Sequence, residues 1–536
     1  MLLKLFASLC ATLVAYVLYR ALNMVYRELT TPLGALPGPK STHWFFGNAK
    51  ELMDDNSGAE ERWIKEFGRT MRLRRFLNLS QLYTIDTKAI HHVITNTHIY
   101  QKSEGQRYGL GRIVGPGVLV VEDDEHKQQR KIMNPAFGVP HIRELTSIFV
   151  NKSIQLRDIW AAQVTQSGGI ARIEALSWLS KATLDVIGLA GFNYDINALG
   201  ATEGTAPDEL AAAFEAVFAA ETSFSLIRFF QMRVPFFRRL PSRQDREIAV
   251  AQAVMKRIGR RLLAESKREI RENGTFEAGR GRDLLTLLVR ANTAKDLPTH
   301  QQLSDEDVIA QVPTFLVAGH ETTSTGVTWA LFGLTQNTAA QTRLRRELLD
   351  VSTDTPTMDE LNALPYLDCV VRETMRLYAP VSATGRMAMR DDVVPLSEAF
   401  TDANGVAHES VRIRKGQFVM IPIAALNRDV AVWGSDAMEF IPERWERDPP
   451  ISNAIPGVWG HMLTFLGGPR SCIGYRFSLV ETKALLFTLL RAFEFELAVP
   501  AVDIGLKGNA IVVRPMVRSD LAAGNQLPLL VKPVVR

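Results

Sequence analysis

A mainly α-helical protein with small β-sheets, an α+β body, is what this sequence predicts, and three observations predict it. Apolar residues recur at three- and four-residue spacing through long central stretches, as one buried helix face requires. Alternating runs are few and lie before and after that helical middle. No internal repeat and no long polar linker divides the 536 residues, so one large body suits the chain better than a string of modules.

The first element is the N-terminal stretch from Leu2 to Tyr26, almost wholly apolar or small and broken only by Lys4, Arg20 and Asn23. At helical rise it is long enough for a bilayer, so a transmembrane anchor is expected over residues 1–26, with Tyr16, Tyr19 and Tyr26 at the interfaces. Arg20, Arg27 and Lys40 slightly outnumber Lys4 and the terminal amine, which orients the body to the cytosol. A cleaved signal peptide competes, but no small-residue cleavage site follows a short apolar core. A proline-rich hinge is expected over residues 27–40, because Leu36-Pro-Gly-Pro39 forbids helix continuation. The globular body then occupies residues 41–536.

Within that body, strands are predicted around residues 71–86, around 411–423 about a Lys-Gly turn, and near 510–517 with the C-terminal tail. Long helices are predicted over residues 142–164, 176–190, 208–222, 246–273, 305–336 and 477–492. Pro313 is expected to kink the fifth of these. A shorter helix from Tyr366 to Tyr378 ends before Pro380. Polar, glycine-containing breaks at residues 200–207 and 273–281 read as surface connections.

Hydrophobic residues at 46% and charged residues at 22% describe an ordinary globular chain. The net charge of +4 is too small and too dispersed for nucleic-acid binding, which is excluded as a function class. Cys10, Cys369 and Cys472 lie far apart, so no disulfide framework is read and a reducing compartment is expected.

The chemistry concentrates in Phe465-Leu-Gly-Gly-Pro-Arg-Ser-Cys-Ile-Gly474. A thiolate persists only where backbone N–H groups, a cation or a metal offset its charge, and the glycines let backbone approach the sulfur of Cys472. Such a loop suits a haem-iron ligand, with Arg470 free to meet an anionic haem propionate. A buried structural cysteine in a turn is the plain alternative. In the longest central helix stands Ala318-Gly-His-Glu-Thr-Thr323. Gly319 removes bulk where a planar or diatomic group could approach, and the Thr322 hydroxyl can bond the carbonyl four residues back. Taken alone, such a segment in an apolar helix is more often a packing site. His320 reads as a packing residue, since no second ligand-type residue stands at i+4. Glu373-Thr-Met-Arg376 places two charges on one helix face, where they can pair.

The spacing Phe-x-x-Gly-x-Arg-x-Cys-x-Gly resembles the haem-binding signature of the cytochrome P450 superfamily, whose cysteine is the axial thiolate. The proline-rich hinge, the Glu321–Thr322 pair in a distal helix, the Glu373-x-x-Arg376 helix and Phe440-Ile-Pro-Glu-Arg-Trp445 follow in that family's order. The resemblance therefore runs from Pro37 to Glu481. It implies a P450 fold and haem b, with iron held by Cys472. Phe465 and Gly474 belong to the cofactor-binding loop, and His126, Arg130, Arg386 and Arg470 grip the propionates. His126 stands where many members carry Trp, which would make its grip pH-sensitive. Glu373, Arg376 and Arg444 would form a buried triad behind the haem, and Glu321 and Thr322 would deliver protons to bound dioxygen. Leu466, at a variable position of the signature, is a small departure.

The implied activity is that of a microsomal haem-thiolate monooxygenase, which hydroxylates or epoxidises a lipophilic small molecule with O2 and electrons from NADPH. A terpenoid or sterol of secondary metabolism is the candidate substrate. The implied donor is NADPH-cytochrome P450 reductase, with cytochrome b5 as a further candidate, on the endoplasmic reticulum membrane. No Gly-x-Gly-x-x-Gly or flavin motif lets the chain bind NADPH itself. Lys127 and Lys131 are candidates for docking an acidic donor, a solvated basic face being the alternative. A haem-thiolate isomerase, dehydratase or peroxygenase working without a reductase is the alternative enzyme, and a haem-based gas sensor the non-enzymatic one. Candidate pocket segments are residues 107–121, 222–241, those beside Ala318, and 381–384. In the second, Phe224, Leu226, Ile227, Phe229, Phe230, Phe236 and Phe237 alternate with Arg228, Arg233, Arg238 and Arg239. That mixture suits a membrane contact beside a substrate entrance, and core packing explains it nearly as well.

Overall fold

The computed structural model describes residues 2–53, 58–201, 208–222, 226–273, 283–293, 302–447, 455–508 and 512–534. The chain is 60% helical with small sheets. It divides into two compact units, the smaller made of residues 1–101 and 383–425, the larger of residues 102–382 and 426–536.

The smaller unit is built on a five-stranded sheet in the order Thr70–Arg74, Ser80–Thr84, Phe418–Ile421, Thr384–Ala388, Tyr100–Gln101. Only the second and third of these run parallel, with Gln81 opposite Phe418. The alternation predicted over residues 411–423 marks two strands, but they do not form a hairpin. Ala407–Ile413 pairs with Asp392–Thr401 in a separate ribbon, while Phe418–Ile421 enters the five-stranded sheet. Gly416 makes the turn between them at φ +84°, a left-handed conformation that costs glycine nothing. The prolines of Leu36-Pro-Gly-Pro39 lie along the sheet edge, where Pro37 O accepts the Arg72 N–H at 2.8 Å. A Cβ on Gly38 would stand 2.1 Å from Arg72 O, so only glycine permits that approach.

The N-terminal helix runs from Leu2 to Leu29. Its last turn is tied to the sheet, because the Glu28 carboxylate accepts the Ser80 N–H at 3.0 Å and pairs with Arg74. The side chains of Leu2, Leu3, Leu9, Cys10 and Leu13 lie outside the described residues. Among the described residues, no helix is long and apolar enough to cross a membrane. The expected transmembrane anchor over residues 1–26 is therefore not supported; the helix itself runs past Tyr26 through Arg27 and Glu28 to Leu29. What remains is a helix whose apolar side chains face outward, Leu5 and Phe6 among them.

The larger unit packs around the helix Asp305–Gln336, the central helix hereafter. A reciprocal capping box starts it: the Ser304 hydroxyl accepts the Asp307 N–H at 3.2 Å, and Asp307 accepts the Ser304 N–H at 3.1 Å. The helix continues through Pro313, with the Thr314 hydroxyl donating to Val114 O at 3.0 Å beside the missing backbone donor. Gly319 is corrected to a packing residue. A Cβ there would lie 2.9 Å from the Ile187 side chain on the helix Ala175–Phe192, so the missing side chain admits a neighbouring helix rather than a ligand. The helix Tyr475–Ala492 packs on Val139–Gln166, where Phe149 and Phe477 meet edge to face at 4.6 Å.

The C-terminal strands hold the far side of this unit. Pro528–Pro533 lies between Ala171–Glu174 and Phe493–Leu497, and Val513–Val517 pairs with Ile504–Gly508. The Trp329 indole N–H donates to Val513 O at 3.1 Å, which docks that ribbon against the central helix. The expected break at residues 273–281 and most of that at 200–207 lie outside the described residues, as do Phe224 and Ala510.

Candidate active site

Cys472 sits in the turn before the helix Tyr475–Ala492. A single 3-10 turn, Gly468–Arg470, shapes the loop, and Cys472 N–H closes it onto Phe465 O at 2.8 Å. Gly468 and, less comfortably, Leu466 adopt left-handed backbone at φ +65° and +54°. For a leucine that conformation costs about 1 kcal/mol, which the surrounding loop bonds must offset. The Phe465 ring packs between Trp459 and Tyr475 at 5.6 and 6.0 Å. The Cys472 side chain stays accessible although protein surrounds it. Burial pushes its thiol pKa up, against the Gly474 backbone N–H and Arg130, which both favour the anion. A helix N-terminus and a guanidinium therefore converge on this sulfur. Cys369 is different: it is buried in the helix Pro365–Leu377, and burial pushes its thiol up to about 11.

Positive groups crowd the approach to the loop. Arg130, on the helix Asp123–Met133, donates to Ser471 O at 2.5 Å and to Asn134 at 3.0 Å. It thus holds the backbone next to Cys472. Arg470 is less free than the sequence suggested, since it donates to Val121 O at 2.7 Å and pairs with Glu122. His126 is buried on the same helix as Arg130. Burial, then Arg470, Lys102 and Arg130, push its pKa down to about 3, so the imidazole is neutral across the physiological range. Arg386 belongs to the smaller unit, where it donates to Thr384 at 2.8 Å and to Gly385 O at 2.9 Å.

Behind the loop, Glu373 and Arg376 are both fully buried, and two parallel bonds of 2.8 and 2.9 Å join them. Glu373 also accepts from Arg444 at 3.4 Å, from the Trp445 indole at 3.0 Å and from Ile441 N–H at 3.0 Å. Every lone pair of the buried carboxylate is thereby used, as a buried charge demands. Arg376 reaches on to Asn427 O at 3.0 Å, and the Asn427 amide holds Leu463 N–H at 3.1 Å and Thr464 at 2.8 Å. The triad is therefore bonded, through one asparagine, to the residue before Phe465.

On the central helix, the Thr322 hydroxyl donates to Ala318 O at 2.7 Å. The next hydroxyl, Thr323, donates to Ser478 at 3.2 Å and joins this helix to the one that begins after Cys472. Glu321 is buried against His320 Nε2 at 3.4 Å and is paired with Arg514 from the strand Val513–Val517. His320 packs on Phe214 at 4.7 Å, with its other nitrogen 2.9 Å from Leu316 O. Sequence reasoning missed Arg514, Glu122 and Ser471. Their partners are remote in the chain, and no local spacing announces them.

Helix Glu104–Val114 meets the segment 226–245 through polar contacts. Arg112 pairs with Asp245, Arg238 donates to Glu104 at 2.7 Å, and Arg238 lies over the Tyr108 ring at 4.5 Å. Phe230, Val234, Phe236 and Leu240 remain exposed there. The side chains of Leu226, Phe229 and Arg233 lie outside the described residues.

The sequence profile of the family described as Cytochrome P450 matches residues 37–516. Cytochrome P450 monooxygenase 128 of Postia placenta is 51% identical over 98% of this chain and 97% of its own. Cytochrome P450 monooxygenase 205 of the same fungus is 49% identical over the same shares. Cytochrome P450 monooxygenase claP of Ampulloclitocybe clavipes is 35% identical over 96% of this chain and 95% of its own.

Proposed function

The chain belongs to the cytochrome P450 family and is a cytochrome P450 monooxygenase, and from that premise we propose that it oxidises a lipophilic small molecule with reductase-delivered electrons. One observation carries the assignment of roles: an accessible thiol, Cys472, at a helix N-terminus with the half-buried Arg130 bonded to its loop. Proteins of this family bind haem b through a cysteine thiolate, and the bound iron supplies the oxygen activation. The residues present fit that group. Cys472 would be its thiolate ligand, since the Gly474 N–H and Arg130 already favour a sulfur anion. The surplus of positive charge around His126 is what a carboxylate would neutralise, with Arg470, Arg130 and neutral His126 as donors.

Around that centre the protein's own work is holding and proton handling. The triad Glu373, Arg376 and Arg444 keeps the cysteine loop in register through Asn427. Thr322 Oγ1 holds its proton on Ala318 O and can release it toward the site while accepting another. Glu321 is the acid that resupplies it, and its reach depends on the Arg514 pairing.

The substrate is lipophilic in this reading because exposed apolar side chains ring the segment 230–240 beside Arg238 and Arg239, as at a membrane-facing entrance. A terpenoid or sterol of secondary metabolism suits such an entrance. The outward-facing apolar residues of Leu2–Leu29 support attachment to a membrane, the endoplasmic reticulum if the electron donor is NADPH-cytochrome P450 reductase, with cytochrome b5 as a second donor. Reconstitution with NADPH, reductase and a panel of terpenoids and sterols under heavy-isotope dioxygen tests the proposal. One labelled oxygen per product, dependent on both NADPH and reductase, is expected. Turnover without reductase would establish the isomerase, dehydratase or peroxygenase alternative instead.

A further inference from the structure

The loop that joins the helices Glu104–Val114 and Asp123–Met133 is fastened at both ends. The Thr314 hydroxyl of the central helix donates to Val114 O at 3.0 Å, and Arg470 of the cysteine loop donates to Val121 O at 2.7 Å. The loop therefore bridges the helix that carries Thr322 and the loop that presents Cys472. Between these ends its backbone lies hard against the central helix. A Cβ on Gly117 would stand 2.2 Å from Thr314 Oγ1 and 3.0 Å from Ala310 O, so a side chain has no room there. Val118, Leu119 and Val120, which follow, are apolar and only half-buried.

One side chain holds the middle of this loop. Gln311, fully buried on the central helix, accepts the Val118 N–H on Oε1 at 3.1 Å. Its Nε2 donates to Gln129 Oε1 at 3.1 Å and to Asp307 O at 2.9 Å, so both amide protons are placed. These bonds set the direction of the amide. Turned over, it would aim an N–H at the Val118 N–H and an oxygen at the Gln129 oxygen. Gln129 is fully buried too, on the helix Asp123–Met133, and its own Nε2 meets no acceptor among the described residues. A leucine there would avoid that orphaned donor, so what Gln129 contributes is its acceptor. If the loop moved away, Gln311 Oε1 would be left buried and unbonded, which penalises every other position of the loop.

We propose that Gln311, oriented by Gln129, is a positioning residue that fixes the loop 115–121 between the central helix and the cysteine loop, and thereby limits the size of molecule admitted to the iron. This rests on Cys472 being the haem ligand. Gln311 acts through the Val118 backbone, and the apolar side chains that this backbone carries set the limit.

The test uses the whole haem-loaded chain with Gln311→Met, Gln129→Leu and the double variant. Imidazole and 4-phenylimidazole, two ligands of ferric iron that differ in bulk, serve as probes, each titrated through its shift of the Soret band. Gln311→Met should raise the affinity for 4-phenylimidazole relative to imidazole about fivefold, with imidazole itself within about twofold of wild type. Amide hydrogen exchange over residues 115–121 should quicken about tenfold, while exchange over residues 318–336 of the central helix stays as it was. Gln129→Leu should move both readings the same way by a smaller factor, and the double variant should go no further than Gln311→Met alone. An affinity ratio that stays at the wild-type value or falls overturns the proposal, as do effects of the two substitutions that simply add. Exchange that quickens equally along the central helix also overturns it, since that marks a role in stability alone. If Gln311→Met does not fold, Gln129→Leu decides the matter by the same two readings. Failure of the haem-ligand assignment would look different, because reduced wild type would then show no red-shifted Soret band with carbon monoxide.

Discussion

Cys472 and Cys369 share a side chain and little else. Cys369 is enclosed by helix side chains, and burial drives its thiol up to about 11, so it stays neutral and inert. Burial raises the Cys472 thiol as well, but Cys472 keeps an accessible face, and the Gly474 N–H and Arg130 act in favour of its anion. The same contrast of environments separates the acids. Glu373 is buried with a full set of donors, whereas Glu481 meets none among the described residues, and burial raises its pKa well above the ordinary range. The sign of the pH effect follows. The folded state binds the Glu481 proton more tightly than the unfolded state, so its contribution is fully present below the ordinary glutamate pKa of about 4.3 and is lost as pH rises toward the raised folded value. Thermal midpoints measured from pH 4 upward should therefore fall further for wild type than for Glu481→Gln, with the gap opening above about pH 4.3. A constant gap would mean that the acid is ionised in the fold. At this scale the sequence revealed the signature residues, because glycine, arginine and cysteine at fixed spacing have few other uses. It did not reveal Glu481, since one glutamate on an apolar helix looks the same whether it is charged or neutral.

Helices were legible to within a few residues wherever an apolar face persists, and the central helix is the clearest case: residues 305–336 carry both its periodicity and its capping box. Sheets were legible only as isolated strands. The run at residues 411–423 contains two strands with different partners, and that choice depends on contacts far along the chain. Gly319 shows the same limit, because its close neighbour Ile187 is on another helix. The strand Val513–Val517 bears on the proposed proton supply, since it brings Arg514 onto Glu321 beside Thr322. Removing that cation by Arg514→Leu leaves Glu321 buried without its partner, which favours the neutral acid and slows proton resupply. The expected outcome is about a tenfold fall in product per NADPH consumed, with more peroxide released and an unchanged Soret spectrum. Unchanged coupling would remove Arg514 from the proton path.

On the scale of the molecule, the described contacts of the candidate site fall within the larger unit, where two helices and a triad bear on the cysteine loop and a short ribbon docks on the central helix. The smaller unit carries the outward-facing N-terminal helix, tied to its sheet through Glu28. The family and its reaction class were legible from the motifs. Whether the N-terminus spans a membrane was not, because the sequence alone does not show that its helix runs on through Arg27 to Leu29 and is tied to the sheet by Glu28. All of these assignments converge on one bond, from the Cys472 sulfur to iron. The most direct measurement is the absorption spectrum of the reduced, carbon monoxide-treated protein, taken for wild type, Cys472→Ser and Cys369→Ser. The account expects a red-shifted Soret band in wild type and in Cys369→Ser, and none in Cys472→Ser. A serine at 472 that left the band intact would contradict it.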